Sequence, residues 1–265
     1  MAIPQLQVIG GGKMGEALLA GLLSAGWAAV DDVRVVERLP GRAAELRERF
    51  PGLDVGDDVA DARGHVVAVK PGDVETACRA LAAAGSSARV LSIAAGVTLS
   101  RLEAALAAGT PVVRAMPNTP ALVGAGAAAI AGGTSAGAAD LDWADEVLAA
   151  VGTVARVDEH LLDAVTGLSG SGPAYVFLVA EALVDAGVLV GLPRATSSAL
   201  ATQTLLGAAR LLAESPEGPE ALRAAVTSPG GTTAAGLRAL ESAGVRAAFL
   251  DAVVAATDRS RELGG

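Results

Sequence analysis

The sequence predicts an α/β protein in two parts, a doubly wound parallel sheet followed by an all-helical region. Three observations predict it. Short runs of branched aliphatic residues alternate with helical stretches as far as Val157. One of those runs, Val66–Val69, is apolar throughout, the pattern of a strand buried on both faces. After Asp158, strand-like runs between turn signals disappear.

Taken in order, Gln5–Ile9 reads as the first strand and Lys13–Ser24 as a helix, with Gly26 as its stop signal. Val33–Val36 is the second strand and Arg42–Phe50 a charged helix. Val66–Val69 follows, then a helix over Asp73–Ala84, a strand over Val90–Ile93 and a helix over Leu99–Ala108. Val112–Ala115, Ala125–Ile130 and Thr153–Val157 are later strands, with a helix over Ala138–Ala150 between the last two. Beyond them Leu161–Leu168, Ala174–Ala186, Arg194–Glu214, Glu220–Val226, Thr233–Glu241 and Val245–Glu262 read as helices. In the long one, Ala201, Leu205, Ala208 and Leu212 form an apolar stripe that must pack on something. The change of rhythm puts the domain boundary at Asp158–Leu161, dividing residues 1–158 from residues 159–265.

Composition narrows the function. Over half of the chain is apolar, so a sizeable core can be buried, and with aromatics at 2% that core is aliphatic. A net charge of −9 with scattered Lys and Arg argues against a nucleic-acid partner. Cys78 is the only cysteine, so no intrachain disulfide forms, and the two histidines, His65 and His160, read as structural or surface residues, with no metal site expected. The start of the chain carries no basic segment followed by an apolar run, which predicts a cytoplasmic protein. The uncharged stretch Pro117–Ala139 holds Pro, Asn and several Gly, so it reads as loops and short strands and no membrane span is expected.

The first strand runs into Gly10-Gly11-Gly12-Lys13-Met14-Gly15, a G-x-G-x-x-G pattern between a strand and a helix. Gly10 permits the tight turn, Gly12 lets a pyrophosphate approach the backbone, and Gly15 lets the helix pack on the sheet. The helix N-terminus, at Lys13 and Met14, offers free N–H groups to phosphate. A Rossmann-type dinucleotide site is therefore expected. A P-loop is excluded, because Gln7 stands where its first glycine belongs and Met14 follows the lysine. The end of the second strand should meet the adenosine ribose, where a carboxylate suits NAD and an arginine suits NADP. Glu37 and Arg38 are both there, an ambiguity that leans to NADPH through Arg38 and leaves NADH open. Arg42 reads as a residue of a solvated helix face.

Four further segments carry a resemblance: Ala68-Val69-Lys70-Pro71, Arg114 through Pro120, Leu168 through Tyr175, and Val226 through Thr233. Together and in this order they resemble the pyrroline-5-carboxylate reductase family, nearly end to end through the Arg259–Leu263 tail. Ser228-Pro229-Gly230-Gly231-Thr232-Thr233 is the most specific segment; Ala-Val-Lys-Pro is shared more loosely. The resemblance implies hydride transfer from a nicotinamide to C5 of 1-pyrroline-5-carboxylate, giving L-proline. It also implies an all-α dimerisation domain, a homodimer with the substrate site at its interface, and assembly of dimers into a decamer.

Physical reasoning runs beside it. Ala68, Val69, Lys70, Pro71, Ala95, Gly96 and Asn118 lie at strand ends, where open α/β sheets bind ligands. Asn118 could bond the carboxamide or simply form a turn. Ser228, Gly230, Gly231, Thr232 and Thr233 read as a turn before a helix, a cradle for the substrate carboxylate. The family's pattern makes Thr233 the residue that contacts the substrate and donates to its ring nitrogen; plain N-capping by Thr232 or Thr233 is the other reading. Ser169–Pro173 opens a helix, its glycines serving packing or ligand approach. Two rivals stand beside this reading. Another imine or keto-acid reductase, such as a hydroxyacid dehydrogenase relative, would use a lysine in its second domain, and none occurs from Leu161 onward. A non-catalytic dinucleotide sensor would need the glycine pattern but not the Ser228–Thr233 cradle.

Overall fold

The computed structural model describes residues 4–264. The strands are β1 (Leu6–Ile9), β2 (Val33–Val36), β3 (Asp54–Gly56), β4 (Gly64–Val67), β5 (Arg89–Ser92), β6 (Val112–Met116), β7 (Gly126–Gly132) and β8 (Gly152–Arg156). Between them run the helices α1 (Lys13–Ser24), α2 (Pro40–Arg49), α3 (Val74–Ala83), α4 (Leu99–Ala105) and α5 (Ala138–Ala149). After β8 come α6 (Leu162–Val165), a π turn over Thr166–Gly170, α7 (Gly172–Leu189), α8 (Arg194–Glu214), α9 (Pro219–Ala225), α10 (Thr232–Ser242) and α11 (Val245–Gly264). The chain divides into two compact units, one running to Ser171 and resuming at Val254, the other Gly172–Val253.

The first unit is built on one sheet of order β3-β2-β1-β4-β5-β6-β7-β8. Alternation along each strand sends side chains to opposite faces. Val8, Val35, Val66, Leu91 and Val113 face α1, α2 and α5, where Leu18, Leu19, Leu22, Leu46, Val147 and Leu148 are buried with them. Ile9, Val36, Val67, Val90 and Val112 face α3, α4 and α6, against Val74, Cys78, Leu81, Leu102 and Leu162. Each fully buried Leu contributes about 1.5–3 kcal/mol over its exposed state. Burial of Leu162 on this sheet explains why the packing boundary comes after Ser171, whereas the change of sequence rhythm comes at Asp158–Leu161.

Two details depart from the sequence expectation. The sheet is not wholly parallel: β7 runs antiparallel to β6, with Arg114 opposite Ala131, and β8 is then parallel to β7. The connection between β6 and β7 is short, residues 117–125, built on a 3-10 turn, Thr119–Val123, and Gly124 at φ +71. A parallel return needs a crossover of a dozen or more residues, so this connection forces the reversal. The edge strand β3 is not anticipated, because Val55 is its one branched apolar residue; it adds in parallel to β2, with Arg34 bonded to the carboxylates of Asp54 and Asp58. The stretch Pro117–Ala139 is strand end, turn, β7 and the start of α5, as expected from its composition.

Burial shifts the titration of two side chains inside the first unit. His65 on β4 is buried, with its ring nitrogens 3.1 Å from Gln7 Nε2 and 2.8 Å from Ser86 Oγ. Burial lowers its pKa from 6.5 to about 4, so it is a neutral structural residue. Cys78, on the buried face of α3, is fully covered, and burial pushes its thiol up to about 11.

In the second unit α7 and α8 form a helical hairpin. Ser197 closes it, buried beside Gly187 and donating to the Val184 carbonyl at 2.7 Å. Ser197 is the one buried residue of Gly172–Val253, and large apolar side chains such as Phe177, Leu178, Leu189 and Leu250 are exposed. Of the predicted stripe, Ala201 and Leu205 are half-buried, and Ala208 and Leu212 are exposed.

Candidate functional site: the strand ends and the Ser228–Thr233 turn

The parallel ladder continues past the strands and sets the loops at their carboxyl ends. Gly10 N–H donates to the Val36 carbonyl at 2.9 Å, Ala68 N–H to Ile9 at 2.8 Å and Ile93 N–H to Val67 at 3.1 Å. At Gly10, φ is +105, and an added Cβ would lie 2.7 Å from the Ala68 carbonyl oxygen. Only glycine fits there. Gly15 is pressed against the Gly10 carbonyl, so it too has no room for a side chain. Gly12 is the opposite case: it is exposed, and a Cβ there would meet nothing within 4 Å. Gly12 is the N-cap of α1, and no side chain caps the helix. The open space above Gly12 and the uncapped N–H groups are what a dinucleotide pyrophosphate requires, so these residues fit that cofactor. Lys13 is exposed and Met14 half-buried in the first turn.

Gly11 lies buried between the two outer glycines. Its N–H donates to Glu37 Oε2 at 3.0 Å, and its carbonyl accepts from Arg42 Nε at 2.7 Å. The other Glu37 oxygen accepts from Leu39 N–H at 2.9 Å. Arg42 also pairs with Glu16 and Glu45. It is therefore part of the glycine turn, not a residue of a solvated face. Arg38 is exposed, and no hydrogen bond or ion pair among the described residues holds it.

Farther along the sheet, Lys70 is exposed and Pro71 opens a 3-10 turn, with Ala68 and Val69 half-buried before it. A cavity of about 490 Å³ gathers Pro71, Ala95 and Gly96 with Thr166 and Ser171 around the π turn and Leu263 of α11. Gly96 has φ +73 and faces the Leu263 carbonyl. Asn118 is committed at both ends: Nδ2 donates to the Ser169 carbonyl at 3.0 Å, and Oδ1 accepts from Ala127 N–H at 2.9 Å. One N–H and one lone pair of its amide remain for a ligand. Gly170 packs on Met116, where a Cβ would lie 2.6 Å from its methyl, while Gly172 has open space. Arg114, buried on β6, donates to Glu159 Oε1 at 2.8 Å, and the same oxygen accepts from Leu99 N–H at 2.7 Å. Neither that pair nor the π turn has a sequence signal, because helical periodicity carries through the turn and Arg114 and Glu159 are far apart in the chain.

In the second unit the Ser228–Thr233 segment forms a turn before α10. Gly231 N–H donates to the Ser228 carbonyl at 3.0 Å, and Gly230 has φ +72. The N-cap is Gly231, with Thr232 and Thr233 inside the first turn. The N-capping reading for these threonines is thereby overturned. Thr232 is exposed and Thr233 half-buried, and no group among the described residues bonds either hydroxyl.

Comparison with known proteins supplies the family. A model described as pyrroline-5-carboxylate reductase dimerisation matches residues 159–263. A pyrroline-5-carboxylate reductase of Mycobacterium tuberculosis is 47% identical over 98% of this chain and 96% of its own length. The chain belongs to the pyrroline-5-carboxylate reductase family. A member from Synechocystis is 45% identical, covering 98% of each chain. Among solved structures, the reductase from Coxiella burnetii superposes with a TM-score of 0.93 at 35% identity over 99% of both chains. That of Plasmodium falciparum, solved with NADP bound, gives 0.85 at 29% identity, covering 99% of this chain and 98% of its own. Residues 5–96 also match a family model described as NADP oxidoreductase coenzyme F420-dependent, consistent with the glycine turn.

Proposed function

We infer that this protein reduces 1-pyrroline-5-carboxylate to L-proline with a reduced nicotinamide dinucleotide, the last step of proline biosynthesis. The observation that carries this reading is the end-to-end likeness to reductases of that name. When bound, the dinucleotide supplies the hydride that adds to the imine carbon. The protein binds and orients. Gly10, Gly12, Lys13, Met14 and Gly15 hold the pyrophosphate. Ala68, Val69, Lys70, Pro71, Ala95, Gly96 and the spare amide capacity of Asn118 serve the nicotinamide half. Ser228, Gly230, Gly231 and Thr232 form the turn that holds the substrate carboxylate, with hydroxyls and with the main-chain N–H groups left free once Gly231 N–H has bonded Ser228. Thr233 carries a hydroxyl that no group among the described residues bonds; it donates a hydrogen bond to the ring nitrogen and can relay a proton from water.

NADPH is the preferred cofactor in this reading. Each oxygen of Glu37 already accepts one main-chain N–H group, and Arg38, just beyond β2, is a cation that no hydrogen bond or ion pair among the described residues holds. Residues 1–158 bind the dinucleotide, and residues 159–265 form the dimerisation and substrate domain. The protein works as a homodimer, with a decamer as the larger assembly. Support comes from a helical unit that buries only Ser197 by itself. By length and composition Glu159–Leu189 could cross a membrane. A second copy covers the same apolar surface without a bilayer, and the solitary buried thiol suits the cytoplasm.

The test follows NADPH and NADH oxidation with 1-pyrroline-5-carboxylate, with proline assayed as product. Proline should form, faster with NADPH, and Thr233→Ala should bind the dinucleotide normally while turnover falls. Folded protein that binds dinucleotide yet makes no proline would overturn the reading.

A further inference from the structure

The glycine pattern assigns work to its first, third and sixth positions and leaves the second open. In this protein the second position, Gly11, is the buried one. An added Cβ there would lie 2.5 Å from Leu46 Cδ1 and 3.1 Å from Glu37 Oε2. Both main-chain groups of Gly11 are already taken by side chains, its N–H by Glu37 and its carbonyl by Arg42. The donors left for a ligand at the turn belong to Gly12 and the first turn of α1.

Arg42 uses every nitrogen of its guanidinium. Nε holds Gly11, Nη1 holds Glu45 at 2.8 Å, and Nη2 holds Glu16. Glu16 sits in the first turn of α1, its side chain largely covered and also paired with Arg49. Arg42 thus ties the carbonyl before the helix to a carboxylate one turn inside it. A planar fork fixed at three points holds an angle as well as a distance, which a lysine ammonium cannot do.

We propose that Arg42 is a positioning residue for dinucleotide binding, bracing the Gly11 turn against the first turn of α1 so that the free N–H groups converge on the pyrophosphate. The proposal rests on the dinucleotide reading above. Pyrophosphate is common to NADPH and NADH, so loosening the brace weakens both alike. All three guanidinium nitrogens already hold partners within the protein, so discrimination between the two cofactors stays with Arg38.

Calorimetric titration of Arg42→Lys and Glu16→Gln with NADPH and with NADH, beside thermal unfolding, tests this. Arg42→Lys should raise both Kd values by about tenfold and leave their ratio unchanged, the loss expected for one charged hydrogen bond. Glu16→Gln, which keeps the Gly11 bond, should raise both by a smaller common factor. KM for the cyclic imine should not follow. A loss confined to NADPH would make Arg42 a direct 2′-phosphate ligand. Unchanged Kd values with a lowered Tm would make it a structural brace only. Either result overturns the proposal. If Arg42→Lys does not fold, Glu16→Gln decides by the same ratio. Wild-type protein that binds neither dinucleotide would instead remove the reading beneath.

Discussion

Up to Ser171 the chain buries leucine, valine and isoleucine on both faces of a sheet; from Gly172 to Val253 it buries only Ser197. Both regions are rich in aliphatic residues. What differs is whether the chain itself supplies the second layer. Alternating strands and helices place apolar faces on either side of one sheet, so the first unit is complete. Consecutive helices without a sheet leave stripes that pair only locally, as α7 and α8 do around Ser197. Composition alone therefore does not say where a core lies; connectivity decides it.

Three experiments press on that contrast. The largest effect is expected from Phe177→Asp on the exposed side of α7. In the homodimer proposed above, a charge on this face costs about 2 kcal/mol or more at each symmetric contact. Sedimentation velocity on the wild type and the variant tests the proposed homodimer: the variant should run as monomer, with turnover lost, and an intact dimer would exclude this face from the interface. Next comes Leu91→Ala in β5, fully buried in the sheet. It should lower stability by about 2–5 kcal/mol in urea titrations, by the same amount at any protein concentration. Concentration dependence would mean that the first unit also leans on a partner.

The smallest effect is on pH. His65 titrates at about 4 in the folded protein against 6.5 when exposed, because burial opposes its charged form. Between those values the unfolded chain binds a proton that the folded chain refuses, so stability is full above pH 6.5 and falls toward pH 4. The loss should reach no more than about 3 kcal/mol. The urea midpoint of His65→Gln should fall less steeply over that range; equal slopes would place the acid sensitivity elsewhere.

Local signals made much of this architecture readable in advance. The helix Lys13–Ser24, the strand Val33–Val36 and the helix Arg194–Glu214 carry their own periodicity and stop signals, and the structure begins and ends them at those residues. The direction of β7 was not readable, because it depends on the brevity of a turn, not on the composition of the strand. The edge strand β3 depends on β2 for its pairing and has little apolar character of its own. At the candidate site the turns were legible, since Gly10, Gly12, Gly15 and the Pro229–Gly231 turn announce themselves locally. The ties that hold them were not: Arg42 and Gly11, like Arg114 and Glu159, are distant in sequence and meet only once the sheet has formed.

Cys78 gives this protein a clock of its own. The thiol is buried on the face of α3 that packs against the sheet, and with its titration pushed up to about 11 almost none is ionised at neutral pH. An alkylating reagent can therefore reach it only when that face opens. Since no other cysteine exists in the chain, the rate of labelling reads the opening of one identified layer, with no probe introduced. Comparing that rate with and without dinucleotide would report how far ligand binding tightens the sheet.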